Sequence, residues 1–171
     1  MAVSPPTVTA FSTGLKVSSG NGNVIILRPS AVIGLLTNVS VGSKNNTSSA
    51  QAGVKFQVSV SGSGSPKVTP SQPITFADRY IQISTNLFQA ISSQCSLLTN
   101  GCYFNFNETT LDAHSFDWVV ENLSAGDYQL TVSWTPATAT TTGGTALACV
   151  GPVMYTAEQA KTFSPSAGLS Y

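Results

Sequence analysis

Alternation with a period of two restricts this chain more than any other feature. Val54, Phe56, Val58 and Val60 alternate with Lys55, Gln57 and Ser59, and Phe116, Trp118 and Val120 alternate with Asp117, Val119 and Glu121. Tyr128, Leu130, Val132 and Trp134 repeat the pattern, as do Cys102, Phe104 and Phe106. Side chains that change face at every residue give a strand one apolar and one polar row, whereas a helix needs apolar residues three and four apart. Two further runs, Val24–Leu27 and Ala31–Val41, are continuously apolar, as in strands covered on both faces. Pro73–Phe76 and Tyr80–Ile83 are split by Ala77-Asp78-Arg79, and Ala146–Val150 and Val153–Tyr155 flank Gly151-Pro152. Helical spacing occurs only in Ser84–Ile91, where Leu87, Phe88 and Ile91 share a face, and that segment reads equally as an irregular strand.

These runs predict an all-β, single-domain β-sandwich of jelly-roll type, with about ten strands and little or no helix. Asn122–Asp127 reads as the turn of a hairpin whose arms are 116–121 and 128–134. Ser61–Pro66 and Thr135–Thr145 read as loops. The domain spans residues 1–171, with 1–10 as an N-terminal arm or exchanged strand and 164–171 as a C-terminal tail.

Composition removes whole function classes. The 171 residues carry seven Lys+Arg, seven Asp+Glu and one His, a net charge of zero, and charged residues are 8% of the chain. No cationic surplus exists to neutralise phosphates, so nucleic-acid binding is not expected. With 24 Ser and 20 Thr, the surface is made of hydroxyls and amides, while 42% hydrophobic residues suffice for a core. His114 is the only histidine, so any triad must use it, and no Gly-X-Ser-X-Gly elbow is present. Gly20-Asn21-Gly22-Asn23 is a turn before a strand and not a phosphate-cradling loop. Glu108, Asp112, His114 and Asp117 form the most acidic stretch, but their spacing matches no metal loop and reads as a solvated turn. Asp117 and Glu121 alternate outward on one strand, as exposed acids usually do. Tyr103, Trp118, Trp134 and Tyr155 would stack sugars if exposed together, yet both tryptophans fall in the inward register, which favours core packing. No enzyme activity, catalytic residue, cofactor or metal is expected.

Met1–Pro6 lacks the basic and apolar regions of a secretory signal, and the longest apolar run, Ala31–Leu36, is too short to span a bilayer. The low charge still favours an extracellular location, with the signal absent from this chain. Glycosylation sequons fall at Asn38, Asn45, Asn46, Asn107 and Asn122. Cys95 and Cys102, seven apart across a turn-forming stretch, either close a small disulfide loop or remain two buried thiols. Cys149, within Thr-Ala-Leu-Ala-Cys-Val, reads as a small core residue.

The segment Ala113-His114-Ser115-Phe116-Asp117-Trp118-Val119-Val120-Glu121-Asn122-Leu123-Ser124-Ala125-Gly126-Asp127-Tyr128 resembles the penultimate hairpin of jelly-roll domains of the C1q/TNF superfamily. It is more closely similar to bacterial secreted proteins with that ending, in which a variable Thr/Ser/Gly loop and two last strands follow. Here those are Thr135–Thr145, Ala146–Gly151 and Val153–Phe163, and Tyr155–Lys161 fits the last strand only loosely. The resemblance implies a compact jelly roll, often trimeric, used for assembly or recognition outside the cell, and it implies no catalytic residues.

The expected function is therefore a non-enzymatic extracellular structural module whose partners are copies of itself, as a trimer or a fibre. A surface of little charge offers little repulsion between copies. Val3, Val8 and Ala10 are the candidate assembly strand, by addition to a neighbour's sheet, unless they simply open their own domain. Two other classes remain open: a module binding surface glycan through the sandwich loops, and a virion decoration or fibre-head protein.

Overall fold

The computed structural model describes residues 6–19, 22–42, 47–84, 86–87, 89–90 and 103–161. Eight strands follow one another: β1 (Val8–Val17), β2 (Asn23–Gly42), β3 (Ser48–Thr69), β4 (Ile74–Ile83), β5 (Tyr103–Ser115), β6 (Trp118–Pro136), β7 (Ala139–Thr140) and β8 (Gly144–Lys161). Among the described residues only 86–87 and 89–90 are helical, within the segment whose spacing was ambiguous. The fold is thus an all-β sandwich, as the alternation predicts.

All pairings are antiparallel and form two layers. In one, β3 lies between β4 and β6, and β1 flanks the far edge of β6. In the other, β2 lies between β5 and β8. Ile25–Leu27 of β2 pair with Trp118–Val120 of β6, and this short ladder joins the layers. The sandwich closes along its two remaining seams through side chains. Phe11 and Tyr155 meet with ring centroids 5.2 Å apart, and Gln159 donates to Ser18 across the β1–β8 seam. Arg79 approaches Glu108 at 3.6 Å across the β4–β5 seam, where the Phe76 ring neighbours His114.

The core fills the space between layers. Ile25, Leu27, Ile33 and Leu35 from β2 meet Val54, Phe56 and Val58 from β3 and Trp118, Leu130 and Val132 from β6. Phe56 stacks on Phe76 at 4.3 Å. Val39, Val41, Ala50 and Ile83 form a smaller cluster at one end. Burial alternates along β2, with every odd position from Asn23 to Val41 buried.

Eight strands replace the expected ten because punctuation in the sequence becomes bends inside long strands. Val24–Leu27 and Ala31–Val41 are one β2 running through Pro29, and Gly151-Pro152 lies inside β8. Ala77-Asp78-Arg79 lies inside β4, which is paired with β3 through a bulge. The expected hairpin at Asn122–Asp127 does not form, since β6 continues through it, with Asn122 at φ 58° and Gly126 at φ 153°. The expected loop Ser61–Pro66 is the matching bend of β3, where Gly62 faces Tyr128 and Gly64 faces Leu123 across two register shifts. Two strands therefore bulge together, which turns the sheet corner without ending either strand. Tyr128 is buried at this corner. Its hydroxyl accepts from the Ser124 N–H at 2.9 Å and has one proton to donate, to the Ser63 carbonyl at 2.6 Å, with the Ser124 carbonyl as a second acceptor at 3.0 Å. Gly62, at φ 152°, has no room for a side chain: a Cβ there would lie 2.6 Å from the Asp127 carbonyl oxygen.

Candidate assembly surface

The outer face of β5–β2–β8 follows from strand parity. Residues directly opposite in a ladder share a face, so Leu36 stands between Thr109 and Leu147, Gly34 between Leu111 and Cys149, and Ser30 between Ser115 and Met154. Inward positions of β8 are the small Ala146, Ala148 and Val150, which pack on the core. That leaves Leu147 and Cys149 pointing out. Cys149 is exposed and free, which corrects its reading as a core residue; a one-residue parity decides the face, and both parities of this segment are apolar.

The result is an uncovered apolar patch. Leu111, Met154 and Leu147 are 72%, 69% and 60% exposed. Gly34 is their floor: a Cβ there would meet Cys149 Sγ at 2.5 Å and Leu111 Cδ1 at 3.6 Å, so side chains from both flanking strands close over the glycine. Val32 packs beside Gly151 on the same face. No Asp, Glu, Lys or Arg occupies an outward position from Tyr103 to Ser115, from Ser30 to Gly42, or from Thr145 to Met154. The acids of β5 point the other way, because Glu108 is opposite inward Thr37 and Asp112 is opposite inward Ile33. At the edge of the patch Arg28 donates two hydrogen bonds to Asp117, at 2.5 and 2.7 Å, and these hold the Asp117 carboxyl below the usual carboxylate range.

The sequence candidates fall in scattered places. Val8 pairs with Trp134 and Ala10 sits in the β1 bulge, both within this chain's own sheet, while Val3 lies outside the described residues. Cys95, Cys102, Asn45 and Asn46 also lie outside them. Asn38 and Asn107 are directly opposite each other on the outer face of β2 and β5, and Asn122 is exposed at the β6 bulge. Asp117 is turned onto Arg28, away from Glu108, Asp112 and His114. Among the described residues no three His, Cys, Asp or Glu side chains could hold a metal. Trp118 is fully buried and Trp134 half-buried, so the four aromatics do not form a sugar platform. No described helix is long and apolar enough to cross a membrane. The apolar sheet face itself was missed, because its residues come from three segments that look like core in the sequence.

Comparisons with family models, curated proteins and solved structures return no match for this chain. The likeness to C1q/TNF domains rests on sequence pattern alone.

Proposed function

We propose that this chain is a non-enzymatic, extracellular structural module that associates with copies of itself through the outer face of β5–β2–β8. The single observation that carries the reading is the exposure of Leu111, Leu147 and Met154 on the part of that face, Ser30–Gly42 with its β5 and β8 partners, whose outward positions hold no charged side chain. Apolar patches of this kind mark interaction sites. A two-fold interface brings a patch onto itself, so a charge-free patch meets its copy with no like-charge repulsion. Three strands about 4.8 Å apart and about 13 residues long at ~3.3 Å each give a footprint of about 600 Å², close to the ~800 Å² per partner of a standard interface once side-chain relief is added. The extracellular placement draws its support from the low charge.

Light scattering over a dilution series tests this, with wild type beside the double variant Leu111→Lys, Leu147→Lys. The expected result is a closed dimer for wild type and a monomer of unchanged thermal stability for the variant. A wild-type monomer at about 100 μM, where even weak specific pairs associate, overturns the proposal, as does a variant that keeps the wild-type mass.

A further inference from the structure

The opposite layer carries a different surface, and its rows are set by the same ladder rule. On the outer side of β4–β3–β6/β7, Thr75, Lys55 and Thr135 stand side by side; next come Asp78 and Gly53, then Tyr80, Gln51 and Ala139. Gly53 opens a dip in the middle row. A Cβ at Gly53 would lie 3.0 Å from both Asp78 Oδ1 and the Ala77 carbonyl oxygen, so any side chain there would crowd the Asp78 carboxylate. The segment after β6 forms a wall, held because the Ala137 N–H donates to the Gly53 carbonyl at 2.8 Å and the Thr141 N–H donates to the Ser49 carbonyl at 3.0 Å. Floor and wall enclose an open groove of about 470 Å³ lined by Gln51, Lys55, Thr75, Asp78 and residues 135–139. That volume is within the range of small-molecule sites.

We infer that this groove binds a neutral pyranose, independently of the assembly face on the other layer. Three features point to that chemistry. First, the groove holds one carboxylate and one ammonium, Asp78 and Lys55, and so has no net charge to select an ion. Second, the carboxylate is already oriented. Gln51 Nε2 donates to Asp78 Oδ2 at 2.9 Å and Oδ1 at 3.0 Å, which leaves lone pairs on both oxygens for vicinal hydroxyls. The Lys55 ammonium and the Thr75 and Thr135 hydroxyls supply donors on the adjacent row, with no ion pair to Lys55 among the described residues. Third, Tyr80 lies just outside the groove lining, opposite Gln51 in the β3–β4 ladder; it is 59% exposed, its hydroxyl donates to Gln82 at 3.1 Å, and its ring is an aromatic face at the groove's edge for the C–H side of a sugar. A hydroxyl-rich ligand needs both: a carboxylate–amide pair for its rim and an aromatic for its face.

Saturation-transfer NMR tests the inference with four probes, the methyl glycosides of mannose, glucose, galactose and N-acetylglucosamine, each at about 10 mM, a concentration suited to millimolar affinities. At least one is expected to receive saturation from wild type. Asp78→Ala and Tyr80→Ala, both at exposed positions, are each expected to weaken that binding at least roughly tenfold, the scale of one good charge-assisted contact. Leu111→Lys, on the other layer, is expected to leave it unchanged. Transfer to none of the four, or binding that survives Asp78→Ala and Tyr80→Ala at wild-type strength, overturns the inference. Loss of binding with Leu111→Lys also overturns it, because the sugar would then lie on the other face.

Discussion

Two tyrosine-to-phenylalanine substitutions should have opposite consequences, and the contrast tests how hydrogen bonding is distributed in this sandwich. The Tyr128 hydroxyl ties the Ser124 N–H to the Ser63 and Ser124 carbonyls at the corner where β3 and β6 bend together. Removing it deletes one accepted and one donated bond, worth about 1 kcal/mol each net, and leaves backbone groups that must find other partners. Tyr128→Phe is therefore expected to destabilise by about 2–3 kcal/mol, a drop in Tm of about 4–12 °C for a chain of this size. Tyr155 is the reverse case. Its hydroxyl is buried with no hydrogen-bond partner among the described residues, while its ring packs on Phe11. Phenylalanine keeps the ring contact and removes an unsatisfied oxygen, so Tyr155→Phe is expected to be neutral or stabilising by up to about 1 kcal/mol. Burial also pushes the Tyr155 phenol up to about 12. The folded state then favours the neutral form more strongly than the unfolded state does. Its contribution is complete below pH ~10 and is lost as pH rises toward ~12. Urea unfolding of both variants at neutral pH, and of Tyr155→Phe across the alkaline range, reads all of this. Equal shifts for the two variants, or a Tyr128→Phe effect within about 0.5 kcal/mol of zero, the level of an ordinary surface change, would refute the reasoning.

Three other outcomes are expected. Arg28 depresses the Asp117 carboxyl chiefly through their hydrogen bond, so the pair's small contribution is present above the ordinary carboxylate range and fades as pH falls; Asp117→Asn should flatten the acid limb of the stability profile in urea titrations. Gly62→Ala should be strongly destabilising, by about 3 kcal/mol or more, because its φ of 152° and the Asp127 carbonyl leave no place for a methyl; Gly14→Ala, whose Cβ would have only the Tyr128 carbonyl, at 4.0 Å, should be tolerated in the same melting assay. Because Asn38 and Asn107 stand side by side on the proposed assembly face, protein glycosylated at either should stay monomeric by light scattering, and the double variant Asn38→Gln, Asn107→Gln made in the same host should recover the dimer.

The strands were legible wherever one face is polar. Val54–Val60 and Tyr128–Trp134 alternate cleanly, and both lie in strands with a buried and an exposed row. Their ends were not legible. Asn122, Gly126 and Asp127 have the composition of a turn, yet a turn and a bulge ask for the same residues at positive φ. What separates them is whether another strand bends alongside, and that strand, with Gly62 and Gly64, is about sixty residues away. The same limit hid the surfaces. Leu36, Leu111 and Leu147 are far apart in sequence, and only the β2 ladders make them neighbours. Gly53 looks like an interruption of a strand until Asp78 and Ala137 are placed on either side of it. Outward Cys149 was beyond reach for a simpler reason: Ala146–Val150 is apolar on both rows, so nothing in its letters says which row faces water.

The central position of β2 has a consequence for the order in which this protein can be made. Residues 23–42 leave the ribosome ahead of all their ladder partners, β5, β6 and β8, which lie between residues 103 and 161. During synthesis at about 5–20 residues per second, the most apolar strand therefore waits for several seconds or more with both edges open. β3 and β4 can pair within that interval, since they are adjacent in the chain. Closure of the second layer has to follow the arrival of the C-terminal half, which makes folding slow by topology and dependent on whatever shields β2 in the meantime.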